Sequence, residues 1–133
     1  MNNIDIIKKI LNMKSIAVVG FSPNKKRPSH FVSIYLKSYG YNITPINPGY
    51  NEIAAMRCYP NLLSISADIE VVNIFRKSEF VPDIVSDAIS IGAKAIWMQD
   101  GIKHDQSYKI AQDAGLKVIM DDCMLRQHQQ LRD

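Results

Sequence analysis

The stretch Ser15-Ile-Ala-Val-Val-Gly-Phe-Ser-Pro-Asn24, closed by Lys25-Lys-Arg-Pro-Ser29, joins an apolar run to a compact cationic turn and then to the start of a helix. An apolar run of this length reads as a buried strand, and a glycine at its end lets the backbone swing close to a bound group. The first turn of the next helix offers unpaired N–H donors and the positive end of a dipole, so the connection is a candidate phosphate seat. It is not a dinucleotide fingerprint: the second and third glycines of G-x-G-x-x-G are missing.

Outward from this unit, helices and apolar runs alternate. Ile4, Ile6, Ile7, Ile10 and Leu11 fall at helical spacing and predict a leading helix within residues 1–14. Ser15 to Gly20 is the first strand. Ser29 is expected to cap a helix with Val32, Ile34, Tyr35 and Leu36 on its apolar face, stopped by Gly40. Tyr41 to Asn47 is a second strand in which Pro45 is best tolerated at a sheet edge, and Asn47-Pro48-Gly49 turns the chain. After an irregular piece around Tyr59 to Ser64, Ile69 to Phe75 is a third strand. A helix from about Val81 to Ile91 follows, with Pro82 in its first turn and Gly92 at its end. Ala95 to Gln99, a helix from about His104 to Ala114, and Leu116 to Met120 complete the series.

Five apolar runs separated by helices predict an α/β fold: a five-stranded parallel sheet in three layers, with helices on both faces because right-handed crossovers place them there. Ligands of such doubly wound folds bind beyond the carboxyl ends of the strands, where the winding reverses.

The whole chain fits one domain, 1–133. With 47% hydrophobic and 22% charged residues it is neither a disordered composition nor a membrane-spanning one. The N-terminal residues mix charge into the apolar pattern and do not form a signal peptide, so a cytoplasmic location is expected. The net charge of +3 suits an anionic small molecule, while the lack of a basic face interleaved with aromatics argues against nucleic acid. Cys58 and Cys123 are far apart, form no C-x-x-C and have no His at ligand spacing; they read as plain thiols rather than a zinc or redox motif.

The strand ends supply the candidate site. At the first, Gly20, Ser22, Asn24 and Ser29 offer backbone approach and neutral donors, and Lys25 and Arg27 offer charge, Arg27 with a fork that suits a phosphate. The same residues would serve a simple chain reversal with solvated charges. Asn47 stands where a nicotinamide-binding fold carries an acid for the ribose, which points toward a phosphorylated adenosine. Phe75 and Arg76 end the third strand as an aromatic and a cation, either core and solvated charge or a wall for a thin acyl-like arm. Gln99 is a candidate amide contact, whereas Trp97 and Met98 read as core. His30 has no serine, cysteine or carboxylate placed to complete a triad with it. His104 and His128 read as surface residues, and Asp121-Asp122 as a solvated strand end or an acid pair.

Ordered motifs run nearly end to end: Ile16-Ala-Val-Val-Gly-Phe-Ser22 with Arg27-Pro-Ser29, Pro45-Ile-Asn-Pro48, Val72-Asn-Ile-Phe-Arg76, Trp97-Met-Gln-Asp-Gly-Ile102 and Met120-Asp-Asp-Cys123. With Ala88-Ile-Ser-Ile-Gly-Ala-Lys94 and Ala114-Gly-Leu116 between the last of them, the chain resembles the CoA-binding domain family, small proteins similar to the nucleotide-binding domain of the succinyl-CoA synthetase alpha subunit. The resemblance implies a Rossmann-like domain holding coenzyme A or an acyl-CoA. Gly20, Ser22, Asn24 and Arg27 would then form the phosphate turn, Asn47 and Pro48 the adenosine side, and Phe75 and Arg76 the path of the arm, with Phe21, Lys25, Pro28, Ser29 and Gln99 as further cofactor-binding candidates. Two departures are expected to matter. Phe21 stands where the family has a small residue, which would narrow the cleft, and Asp122 stands where a basic residue is common, which would make the rim less positive. The catalytic histidine of the synthetase lies in a domain absent here, so a non-catalytic or regulatory binder is expected. The alternatives are a small nucleotide- or NAD-dependent enzyme or enzyme subunit using His30 or Asp121-Asp122, and an interaction module. No membrane partner is expected, and the leading helix, if it projects, would be a contact for a second copy or a protein partner.

Overall fold

A computed structural model describes residues 3–132. The elements run α1 (Ile4–Leu11), β1 (Ser15–Val19), α2 (Pro28–Ser38), β2 (Asn42–Ile46), β3 (Glu52–Ile53), β4 (Met56–Arg57), β5 (Val71–Ile74), α3 (Val81–Ser90), β6 (Ala95–Met98), α4 (Asp105–Asp113), β7 (Lys117–Ile119) and α5 (Met124–Leu131). Five strands form one sheet in the order β2-β1-β5-β6-β7, all parallel. Winding reverses between β1 and β5, so the carboxyl ends of these two strands frame the crevice.

Strand alternation divides the core. Ile16 and Val18 of β1 face one layer with Ile7 and Ile10 of α1, Val32 and Leu36 of α2, Trp97 of β6 and Met124 of α5. Ala17 and Val19 face the other with Val81, Val85 and Ala88 of α3 and Ala111 of α4. The result is the expected Rossmann-like α/β sandwich with helices on both faces of a five-stranded parallel sheet. Among the described residues no helix is long and apolar enough to cross a membrane.

The leading helix does not project. An isolated eight-residue helix is marginal in water, but the side chain of Asn3 accepts from Asp5 N and Ile6 N at its start, and Ile7 and Ile10 are buried against the sheet layer. Burial of two isoleucines at about 1.5–3 kcal/mol each offsets the cost of ordering this segment.

Pro45 sits on the edge strand, as its chemistry requires. Asn42 N donates to Lys14 O and Gly20 N donates to Ile46 O, so alternate residues 42 and 46 bond inward to β1 and Pro45 faces outward. Tyr59 covers that outer edge, its N–H donating to Pro45 O at 3.0 Å and its carbonyl accepting from Asn47 N at 2.9 Å. The cap of α2 differs from expectation. Arg27 occupies the N-cap with extended φ and ψ, and Pro28 takes the first helical position, where its fixed φ fits and its missing N–H costs nothing. Ser29 is thereby moved inside the helix. The β3–β4 hairpin, turned by Ala54 and Ala55 at positive φ, and the helix α5 are absent from the sequence-based expectation.

Candidate functional site

Gly20 has φ +88°, and a Cβ placed on it would lie 2.9 Å from Phe75 O and 3.0 Å from the Arg76 side chain. The two strand ends at the winding reversal thus meet at a position only glycine fills without displacement. Phe75 N also donates to Val19 O at 2.9 Å, tying β5 to β1 at this level.

The turn from Gly20 to α2 is built by its own short side chains. Ser22 N donates to Ser29 Oγ at 2.9 Å, Asn24 N to Ser22 Oγ at 3.1 Å and Lys26 N to Asn24 Oδ1 at 3.0 Å. Ser22 and Ser29 use lone pairs in these bonds, so their O–H groups remain donors. His30 Nδ1 lies 2.8 Å from Ser22 O and carries the proton, because a carbonyl oxygen only accepts. Its ring meets Phe21 edge-on at 5.4 Å. The first turn of α2 carries no acidic residue, leaving the positive helix end uncompensated.

Two adjoining clefts share Gly20. The first, about 490 Å³, takes in Ser22, Arg27, Pro28, Ser29, Phe75 and Gln99, together with Phe31, Val32, Asp100 and Cys123. The second, about 430 Å³, takes in Asn47, Pro48 and Arg76, together with Pro60, Asn61, Phe80, Asp83 and Asp87. Both sizes suit small-molecule ligands. The structure therefore places the turn from Gly20 to α2 and the Asn47-Pro48 side in separate clefts. Asn24 and Lys25 are exposed and line neither of these clefts.

Phe21 narrows nothing. Its side chain is wholly buried, packed in the layer beneath α2 with Ile16 and Val18, and it offers the site only its backbone, where Phe21 O accepts from Asn47 Nδ2 at 3.0 Å. The reversal at Gly20 turns the next side chain inward. Asn47 Oδ1 also accepts from Gly49 N at 3.0 Å, so this amide joins the two loops and keeps one N–H and one lone pair for a ligand. Arg76 lies over the Phe80 ring, its guanidinium carbon 4.3 Å from the centroid. With Asp83 and Asp87 it makes the second cleft amphoteric, which the isolated pair Phe75-Arg76 did not reveal.

Asp122 does not reach the rim. It is buried, and its carboxylate accepts from Arg126 Nη2 at 2.9 Å and from Gln127 Nε2 at 3.0 Å. Arg126 also grips Asp100 with bonds of 2.9 and 3.0 Å and holds the Asp100 carboxyl below the usual carboxylate range. The acid that lines the first cleft thus carries its own countercharge. Asp121, at φ +52°, accepts from Gly101 N at 2.7 Å. His104 caps α4 by accepting from Ser107 N, and His128 is half-buried against Tyr35 rather than on the surface. Among the described residues no cluster of three His, Cys, Asp or Glu side chains could hold a metal.

Phe31, 48% exposed, stands off the buried stripe of α2 and lines the first cleft. Cys123, a plain thiol by its sequence context, lines the first cleft from the N-cap of α5.

A family model described as a CoA binding domain matches residues 14–129. The chain is 37% identical over 123 residues to the uncharacterized protein YneT of Bacillus subtilis (strain 168), covering 92% of this chain and 91% of that one. A hypothetical protein from Pyrococcus horikoshii OT3 superposes with a TM-score of 0.95 at 38% identity, over 99% of this chain and 94% of that one. Acetate–CoA ligase (ADP-forming) of Methanocaldococcus jannaschii is 27% identical over 126 residues, which are 89% of this chain but 18% of the ligase.

Proposed function

The chain belongs to the CoA-binding domain family, and from that premise we propose that it holds coenzyme A or an acyl-CoA across the two clefts. The observation that carries this reading is the start of α2: a helix N-terminus without an acid in its first turn, with exposed Arg27 at the cap, opening on a cleft at the winding reversal. Phosphate oxygens would accept from the Ser22 and Ser29 hydroxyls and the Arg27 guanidinium. The adenosine would lie in the second cleft. There the stacked Arg76 and Phe80 offer a flat surface, and Asp83 and Asp87 accept from ribose hydroxyls or an adenine amino group. The arm would pass Phe75 toward Gln99.

The role is holding rather than turnover, in a regulatory or carrier capacity. In support, the side chains that would have served as acid or base are engaged in the architecture: His30 on Ser22 O, Asp121 on Gly101 N, Asp122 on Arg126. The ligase relative spans several times the length of this chain, and its activity is not carried over.

The test is to release and identify the nucleotide that copurifies with the protein, and then to compare thermal shifts with CoA, acetyl-CoA, dephospho-CoA, NAD and ATP. A ligand at a hundred times its Kd stabilises the native state by about 2.7 kcal/mol. A clear shift with CoA and none with NAD is expected; the reverse pattern overturns the reading.

A further inference from the structure

The wall of the first cleft carries a free thiol that packs partly against the core layer beneath α2 and borders the cavity. Cys123, half-buried at the N-cap of α5, borders the same cavity as Ser22, Arg27, Phe75 and Gln99. A second observation in that cavity points to a ligand. Gln99 is 3% exposed and lines it; Gln99 Nε2 donates to Asn73 Oδ1 at 2.5 Å, and its Oε1 has no hydrogen-bond partner among the described residues. Asn73 is wholly buried, yet its Nδ2 has no partner either. Leaving buried polar atoms unmatched is costly, and native interiors rarely do so. An amide pair with capacity to spare at the edge of a cavity is completed by a ligand that brings an amide of its own. The arm of coenzyme A is a chain of secondary amides that ends in a thiol.

We propose that Cys123 captures the thiol end of coenzyme A as a mixed disulfide, with the Asn73–Gln99 pair holding an amide of the arm beside it. The inference rests on the CoA reading above. The co-reactant is the disulfide of CoA. Cys123 gives its proton to solvent and Sγ attacks one sulfur of that disulfide. A Cys123–CoA bond forms, the CoA–CoA bond breaks, and the electron pair leaves on the second CoA, which takes up a proton. One disulfide is consumed and one formed, so no other oxidant enters. Free CoA thiol reverses the step, and the occupied cleft thereby registers the balance of CoA thiol and disulfide. Cys58 is the internal contrast: it is 5% exposed, its Sγ lies 3.5 Å from Asn47 O, and burial pushes its thiol up.

The experiment treats reduced protein with CoA disulfide or with glutathione disulfide at equal concentration and follows intact mass. One CoA per chain is expected, removed by dithiothreitol, retained in Cys58→Ser and absent in Cys123→Ser and Cys123→Ala. The rate with CoA disulfide should exceed that with glutathione disulfide by about tenfold or more, a preference of about 1.4 kcal/mol. Gln99→Leu should shrink this preference. Equal rates with the two disulfides, an adduct that survives loss of Cys123, or no adduct at all overturns the proposal. Reversible CoA binding by Cys123→Ser, read as a thermal shift, separates the two levels. If that variant binds CoA while wild type forms no adduct, capture fails and the CoA reading stands. If it shows no shift with CoA and wild type forms no adduct, both fall.

Discussion

The carbonyl oxygen of Phe75 stands 2.9 Å from the point where a Cβ on Gly20 would lie. The backbone of β5 therefore occupies the space that any side chain at residue 20 would need, and φ +88° disfavours L residues besides. Gly20→Ala is expected to destabilise the protein by about 1–3 kcal/mol from backbone strain alone, and to weaken CoA binding as β5 moves. Urea unfolding read against ligand-induced thermal shifts checks both. Unchanged stability would show that the strand ends yield freely.

Arg27 is exposed at the cap of α2, and its side chain makes no cap bond. Arg27→Ala should leave stability within about 0.5 kcal/mol. CoA affinity should fall by about 1.5–3 kcal/mol, the range of a bond to a charged group. Calorimetric titration of the variant decides the matter; wild-type affinity would place the guanidinium in solvent.

His30 is 6% exposed and holds Ser22 O through Nδ1. His30→Ala leaves that carbonyl without its donor and opens the contact with Phe21. A stability loss of about 1–3 kcal/mol is expected, with CoA binding weakened through the turn. A variant as stable as wild type would show that the bond holds nothing, and would return His30 to the list of chemical groups.

Acid should loosen the contact between α2 and α5. Burial, and then the Arg132 charge, lower the pKa of His128, which faces Tyr35, Tyr39 and Tyr41. A depressed folded-state pKa means that the unfolded chain binds the proton first. Stability is complete above the ordinary value of about 6.5 and is lost as pH falls through the folded value. His128→Phe should flatten this part of the stability profile. Glu70 governs a more acidic range. The N–H of Lys14, 2.9 Å from Oε1, and that of Ser15 hold its carboxyl below 4.5, so its contribution is lost as pH falls below that value. Glu70→Gln should remove the second slope and leave the first.

The sheet is legible in the sequence because each strand is an apolar run closed by a glycine or a polar turn, and because Pro45 marks an edge. The hairpin of β3 and β4 is not, since strands of two residues carry no period. α5 escapes because its residues MLRQHQQL bury little beyond Met124 and rely on Arg126 and Gln127 gripping Asp122. In the site, Gly20, Ser22 and Arg27 are legible as types at the end of a strand. The direction of Phe21 is not, because strand alternation stops at a left-handed residue. Nor does residue order foretell that Asp83 and Asp87 of a later helix line the same cleft as Arg76.

The backbone of Tyr59 lies along the outer side of β2, bonded to Pro45 O and Asn47 N. Strand edges are where one molecule can extend its sheet into another, the usual beginning of fibrillar association. This chain closes one flank with a few residues of its own loop and ends the other in β7, three residues long and opening with Lys117. Neither flank offers a long template, so propagation from molecule to molecule along the sheet is disfavoured by the same short loop that walls the second cleft.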